Sequence, residues 1–333
     1  MSALTSYKRP AWTVIAIATL ALFVVSKVVE PDSLRNSVLQ GMLPFAAVLA
    51  IASMGQTLII QQRGIDLSVP GVMSLVVVIV THNPNGDNGK LLGAILLAFL
   101  VSIASGLLVG LLVTKVGITP IVTTLGVNAL LFGEIVTISK GSPTTTTSDL
   151  HDFATGHVLG IPTTIVIAVI IMALVSFVIK GTTIGRRFEA VGANARAARA
   201  AGIEPLRYQV GAYVAANILY CCAAILLAGA VTTPSVFSGN DYLLPTVAAV
   251  VLGGTSLLGG VGSVTATAVA ALFLTQLDQF VLATGASSAV QNLVQAAALT
   301  LGIAVYSVNW AAVRTRLRPA ALATGGSPPV RSG

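Results

Sequence analysis

Nine stretches of this chain contain no Asp, Glu, Lys or Arg at all: 10–26, 36–62, 67–86, 91–114, 116–133, 153–179, 208–240, 242–277 and 279–313. A helix needs about 20 apolar residues to cross the hydrocarbon core of a bilayer. Each stretch can therefore hold one crossing. Lipid offers no water to exposed backbone groups, so only helices and closed barrels span it. Barrel strands alternate polar and apolar residues over about ten positions, and these runs do not alternate. The fold class is thus all-α, a polytopic integral membrane helical bundle. Composition closes the soluble alternatives. Of the 333 residues, 55% are hydrophobic and 9% charged, where a soluble domain carries about 25% charged. The ratio of surface to mass falls too slowly with size for a soluble core to hide that much apolar surface.

Ten spans are expected, near 11–29, 38–60, 66–82, 91–114, 119–139, 161–180, 208–231, 243–258, 263–283 and 288–310. The third and eighth are short and carry Gly or Pro. They read as broken or re-entrant segments, which leaves eight or nine full spans as the alternative. Lys8 and Arg9 precede the first apolar run, but no small-residue cleavage site follows it. It reads as a retained span rather than a removed signal. With the N-terminus in the cytoplasm, 14 Lys/Arg fall on the cytoplasmic side and 4 (Lys27, Arg35, Lys90, Lys140) on the other. That asymmetry sets both termini in the cytoplasm. It also accounts for the net charge of +7 without nucleic-acid binding, since the basic residues flank spans and lack interleaved aromatics. Residues 1–313 read as one transmembrane domain and 314–333 as a basic, disordered tail.

The longest cytoplasmic connection runs from Lys180 to Arg207, with six Lys/Arg against two Glu. From Asn194 to Ala201 it has high helix propensity. Asn194 is placed to cap the start, Gly202 to end it, and Pro205 prevents its return. A two-turn helix is too short to be stable alone. It is expected to dock on a partner through Ala198, with Arg199 reaching acceptors there; a positive-inside loop with incidental helix is the other reading. Within the spans, Gln56, Asn128, Gln276 and Asn292 offer neutral donors and acceptors, and Asp66 and Asp278 are acids at or near membrane depth. All six are candidates for a solute path, and each is also a candidate for interhelical hydrogen bonding. For Asp66, three residues beyond Arg63, a contact with Arg63 and a capping role at a helix start are the structural readings. Ser102, Gly106 and Gly110 recur every four residues, a small-residue stripe for close helix packing within the subunit or across a dimer. Cys221 and Cys222 are adjacent in an apolar run and read as packing residues. No metal-ligand spacing, no GxxxxGK[ST] nucleotide loop and no GxSxG or HExxH is present. The chain therefore carries no cofactor, metal or hydrolytic site and is not an enzyme.

Four segments, in order along the chain, resemble one family. They are Gly55-Gln56-Thr57-Leu58 with Gly64-Ile65-Asp66-Leu67-Ser68-Val69; Thr119-Pro120-Ile121-Val122-Thr123-Thr124-Leu125-Gly126; Gly185-Arg186 through Ala190-Val191-Gly192-Ala193-Asn194 to Gly202-Ile203; and Ala248 to Ser256 with Gly259-Gly260-Val261-Gly262-Ser263. The family is the permease subunits of sugar-type ABC importers, the class of ribose, xylose and autoinducer-2 permeases. The resemblance implies a translocation path for a simple sugar or similar small polar solute. It implies an ABC ATPase subunit as the site of ATP hydrolysis and an extracytoplasmic solute-binding protein that delivers the solute. A second permease subunit (identical, or a close paralogue) and a bacterial plasma membrane location follow too. The segment 181–207, with Gly185, Arg186, Glu189, Asn194, Ala197, Ala198, Arg199 and Gly202, would be the coupling element seated in the ATPase. Arg63 stands where the family usually has Gly, Pro70 where Gly is usual, Ala266 in place of a common Gly, and Leu277-Asp278-Gln279-Phe280 in place of an Asn-Asn-Gly run. A branched-chain amino-acid ABC permease and a secondary transporter without an ATPase are the alternatives.

Overall fold

The computed structural model describes residues 11–287, 289–291, 293–297 and 300. Most of the tenth expected span, Asn292 within it, and the tail 314–333 lie outside the described residues. The helices are α1 (Ala11–Val29), α2 (Asn36–Gln61), α3 (Val69–His82), α4 (Leu91–Leu111), α5 (Pro120–Ser139), α6 (Ser148–Thr155), α7 (Thr163–Gly181), α8 (Thr183–Ala193), α9 (Ala195–Ala200), α10 (Pro205–Ala230), α11 (Leu243–Leu252) and α12 (Val264–Ala283). Among the described residues, seven of them are long and apolar enough to cross a membrane: α1, α2, α4 with its flanking turns, α5, α7, α10 and α12. Strand pairing among these residues is confined to a hairpin of two-residue strands, β1 (His157–Val158) and β2 (Ile161–Pro162). The chain is an all-helical, polytopic membrane protein.

α2 is the central helix. From Ala46 to Gln61 every residue is buried, and α10, α12, α7 and α11 pack around it. The α2–α10 approach is close because Gly55 lies flat against α10: a methyl there would stand 2.7 Å from the Tyr220 ring and 3.0 Å from Ala216 O. The small-residue stripe of α4 faces α10 inside the same chain, which decides between the two packings the stripe allows. A methyl on Gly106 would stand 2.8 Å from Tyr213 O and one on Gly110 3.1 Å from Val210 Cα. Hydrogen bonds fix the neighbours of α2: Tyr220 Oη donates to Gln56 Oε1 at 2.8 Å, and Thr57 Oγ1 to Thr267 Oγ1 on α12 at 3.0 Å.

The two ends of the bundle are built from different segments. At one end meet the close of α2 (61–64), the pair α8–α9 and the glycine-rich loop 253–263; Gly260 N donates to Gln61 O at 2.9 Å. Gly110 over Val210 brings Lys115 to this end as well. It carries Arg63, Lys115, Lys180, Arg186, Arg187, Arg196, Arg199 and Arg207. At the other end His82 Nε2 meets Ser142 O, Asn88 meets Asp149, Thr146 N donates to Thr232 O, and His157 Nε2 meets Gln40 Oε1.

The short third and eighth spans are composite. At 1.5 Å per residue, 14-residue α3 is about 21 Å long and 10-residue α11 about 15 Å, against about 30 Å of hydrocarbon. Each is completed by irregular backbone. Residues 62–68 enter from the basic end and lead to the start of α3, whose other end reaches His82. Residues 231–242 enter from the opposite end and run down α3 until Gly239 N donates to Ser74 Oγ at 3.0 Å; α11 then carries the chain to the basic end. Non-helical backbone is tolerated at such depth only when buried in protein. Every residue of α3 from Val69 to Thr81 is buried, and Phe237 stacks edge-on to Phe132 of α5 at 5.4 Å.

The packing makes a contrast between two helical glycines. Gly106→Ala forces a methyl onto the α10 backbone and is expected to lower stability by about 1–3 kcal/mol. Gly126 has nothing within 4 Å of a methyl, so Gly126→Ala is expected to be neutral or to stabilise by about 0.5–1 kcal/mol through helix propensity. Thermal unfolding of the two detergent-solubilised variants checks the sign of each.

Candidate functional site

The segment 181–207 folds as two helices, not one. The sequence places helix only at 194–201; the longer helix is α8, Thr183–Ala193. Thr182 starts it, its Oγ1 accepting from Gly185 N at 3.2 Å. The buried positions Gly185, Phe188, Val191 and Gly192 form one inward stripe, and that spacing is the signal from which α8 was readable. Gly185 makes the corner with α7 tight, since a methyl there would overlap Ile179 O at 1.9 Å. Arg186 and Arg187 point outward and Glu189 is half-buried. Asn194 then caps α9 as expected, its Oδ1 accepting from Arg196 N at 3.0 Å and Ala197 N at 3.1 Å. The C-terminus closes with Ile203 N on Ala198 O and Gly202 N on Arg199 O, both 3.0 Å, around Gly202 at φ +79°. This is a Schellman closure, which needs a left-handed residue at Gly202.

Ala198 is buried within its own chain. The residues that α9 presents outward are Arg196, Ala197, Arg199 and Ala200. Ala198 thus packs inward in the single chain, while Ala197 and Ala200 are exposed beside the two arginines.

The α8–α9 corner sits flush on the end of α2. A methyl on Gly192 would stand 2.2 Å from Gln61 O, and one on Gly260 2.7 Å from Ala193 Cα. Gln62 Nε2 donates to Phe188 O at 2.8 Å, Arg63 Nε to Gly192 O at 2.9 Å, and Arg63 Nη2 to Ala193 O. Arg63 is thus turned towards α8, and the expected Arg63–Asp66 contact is not formed. Asp66 takes the other reading: its Oδ1 accepts from Ser68 N at 2.8 Å and Ser68 Oγ at 2.5 Å at the start of α3.

The path candidates do not converge. Gln56 is bonded to Tyr220 on α10. Asn128 Oδ1 accepts from Gly71 N of α3 at 2.8 Å. Gln276 Nε2 donates to Ser26 Oγ on α1 at 3.2 Å, and Asp278 is hydrogen-bonded by Gln295. Four different helix pairs hold them, and a small gap between α3, α4 and α5, lined by Val72, Leu75, Ser102 and Leu131, contains none of them. Asp66 and Asn128 share a different task. Helix N-termini leave N–H groups without partners. At α3, Asp66 satisfies Ser68 N, Pro70 has no N–H, and Asn128 satisfies Gly71 N. Asn128→Ala is therefore expected to lower thermal stability by about 1–3 kcal/mol, the penalty of an unpaired buried donor. A residue serving only the solute would change uptake and leave the unfolding midpoint where it is.

Residues 38–303 match the family model described as "Branched-chain amino acid transport system / permease component". The chain is 32% identical over 294 residues to the ribose import permease protein of Escherichia coli (strain K12), covering 87% of this chain and 91% of that one. It is 35% identical over 254 residues to the fructose import permease protein of Bifidobacterium longum (strain NCC 2705), 74% and 71% of the two chains. To the autoinducer 2 import system permease protein of Yersinia pseudotuberculosis it is 29% identical over 267 residues, 79% and 75%. No solved structure matches the chain. A multi-pass bundle matched to permease components over most of its length is a transport subunit, and the chain belongs to the family of branched-chain amino acid transport system permease components.

Proposed function

We propose that this chain is the membrane-spanning permease of a sugar-type ABC importer in a bacterial inner membrane. In this reading it forms half of the path for a simple sugar or similar small polar solute, and ATP hydrolysis resides on a separate ATPase chain. The relatives named for ribose, fructose and autoinducer 2 import favour a carbohydrate-like solute over a branched-chain amino acid. The chain crosses the membrane ten times, counting the two composite crossings, with both termini in the cytoplasm. The eight basic residues gathered at one end support that orientation, since cytoplasmic ends of spans carry the excess of Lys and Arg. A solute-binding protein delivers to the opposite end, and a second copy or close paralogue completes the path. Residues 1–313 form the permease domain. Of the two acids among the path candidates, Asp278 on α12 is the partly exposed one, and it is the residue we assign to the solute side.

One observation carries the reading: α9 is only six residues long yet capped at both ends and braced from below by α8. A helix that short does not persist by its own hydrogen bonds. Held in place, it offers two small side chains and two arginines as a rigid docking surface, for which a secondary transporter has no use. The outward face gives the test. Ala197→Glu is expected to reduce co-purification of the ATPase and uptake by about tenfold or more, while membrane abundance stays at the wild-type level, because a larger side chain overpacks a docked contact. Ala198→Glu, by contrast, buries a carboxylate and is expected to lower abundance itself. Unchanged uptake and co-purification in Ala197→Glu would remove the coupling assignment.

Orientation is tested separately. In a chain with Cys221 and Cys222 replaced by alanine, Ala197→Cys is expected to react with a membrane-impermeant maleimide in inside-out vesicles only, and Leu159→Cys in intact spheroplasts only. The opposite labelling pattern would reverse the topology.

A further inference from the structure

α2 ends in an unusual way. Gly64 N donates to Ile59 O and Arg63 N to Ile60 O, at 3.0 and 2.9 Å. These are the two bonds of a Schellman closure, whose left-handed position is normally glycine because a Cβ there is strained. Here Arg63 occupies it, at φ +67°. Holding a non-glycine residue in that conformation costs on the order of 1 kcal/mol, so the side chain must return something glycine cannot. Its guanidinium lies on the carbonyls of Gly192 and Ala193. Those are the last two residues of α8, where the helix leaves carbonyls unpaired and its dipole is negative. A cation at this point is favoured by hydrogen bonding and by the field of the helix together.

The contact joins the two elements that energy transfer requires. α8 braces α9, and α2 is the buried axis against which α10, α12 and α11 pack. Residues 61–63 grip α8 three times, through Gln62 on Phe188 O and through both arginine bonds. The loop between α11 and α12 is closed on the same point by Gly260 on Gln61 O. We propose that Arg63 is a positioning residue for coupling, a clamp that ties the α8–α9 segment to the central helix, so that displacement of the one is passed to the other. The proposal rests on α8–α9 being the ATPase-docking segment.

Arg63→Gly separates the clamp from the fold. Glycine relieves the left-handed backbone, so α2 closes at least as well, while the link to α8 is cut. In the assembled complex, with D-ribose, D-xylose and D-fructose as the probe sugars, Arg63→Gly is expected to keep wild-type abundance and ATPase co-purification. The ATP hydrolysed per sugar imported should rise about fivefold, the ratio that ~1 kcal/mol represents. Amide exchange across 194–201 should quicken by a similar factor. Arg63→Lys, which keeps one donor, should fall between the two. A wild-type ATP-to-sugar ratio in Arg63→Gly would overturn the proposal, as would a loss of abundance, which would mark a structural cap alone. The Ala197→Glu variant run alongside tells the two failures apart. If it loses the ATPase while Arg63→Gly couples normally, only the clamp is wrong. If it docks and transports normally, the coupling reading itself has failed.

Discussion

Lipid tails solvate a leucine side chain as well as another helix does, so burial of apolar surface does not by itself hold this bundle together. What remains is close approach and hydrogen bonding. α10 supplies both. It lies against α2 at Gly55 and against α4 at Gly106 and Gly110, where the absence of side chains lets main chains nearly touch. Short contacts between many atoms add up, although each contributes only about 0.1–0.2 kcal/mol. Tyr220 and Gln56 then add a hydrogen bond with no water to compete for it. The three helices form the frame on which the shorter pieces are hung.

The frame matters because the functional segment has little stability of its own. α8 and α9 together are seventeen residues, most of them facing outward, and their order comes from capping residues and from the end of α2. Gly192 and Gly260 bring backbone to backbone at that junction, while Gln62 and Arg63 add side-chain bonds. A rigid presentation of so short a helix is thus a property of the tertiary contacts. The central helix that carries it is also in contact with α7, α10, α11 and α12.

Membrane crossings were the most legible feature of the sequence, because a charge-free run of twenty residues has few other uses. The same logic marked the third and eighth crossings as incomplete, and α3 and α11 are. Asn194 and Gly202 were readable as caps, since each has one conformation that suits its side chain. The inward turn of Ala198 was not: on a six-residue helix with alanine on every face, periodicity carries no orientation. The hydrogen-bond partners of the path candidates were hidden for a related reason. A polar residue in an apolar run shows that a partner exists, but the partner of Asn128 is a backbone N–H 57 residues earlier, and only the assembled bundle reveals it. Arg63 was visible as a departure from a glycine position, while its target on α8, some 130 residues away, was not.

The start of α3 has a mechanical consequence. Two of its donors, Ser68 N and Gly71 N, are satisfied by Asp66 from its own connector and by Asn128 from α5, and Ser74 one turn on takes Gly239 from the opposite re-entrant segment. Sliding any of these pieces along its axis by one turn would strand a donor in a medium with no water to accept it. α3, α5 and the stretch 235–242 are therefore constrained to travel as one rigid body. The covalent element joining that body to the α2–α10 frame is the seven-residue strap 62–68, which begins where Arg63 is fastened to α8.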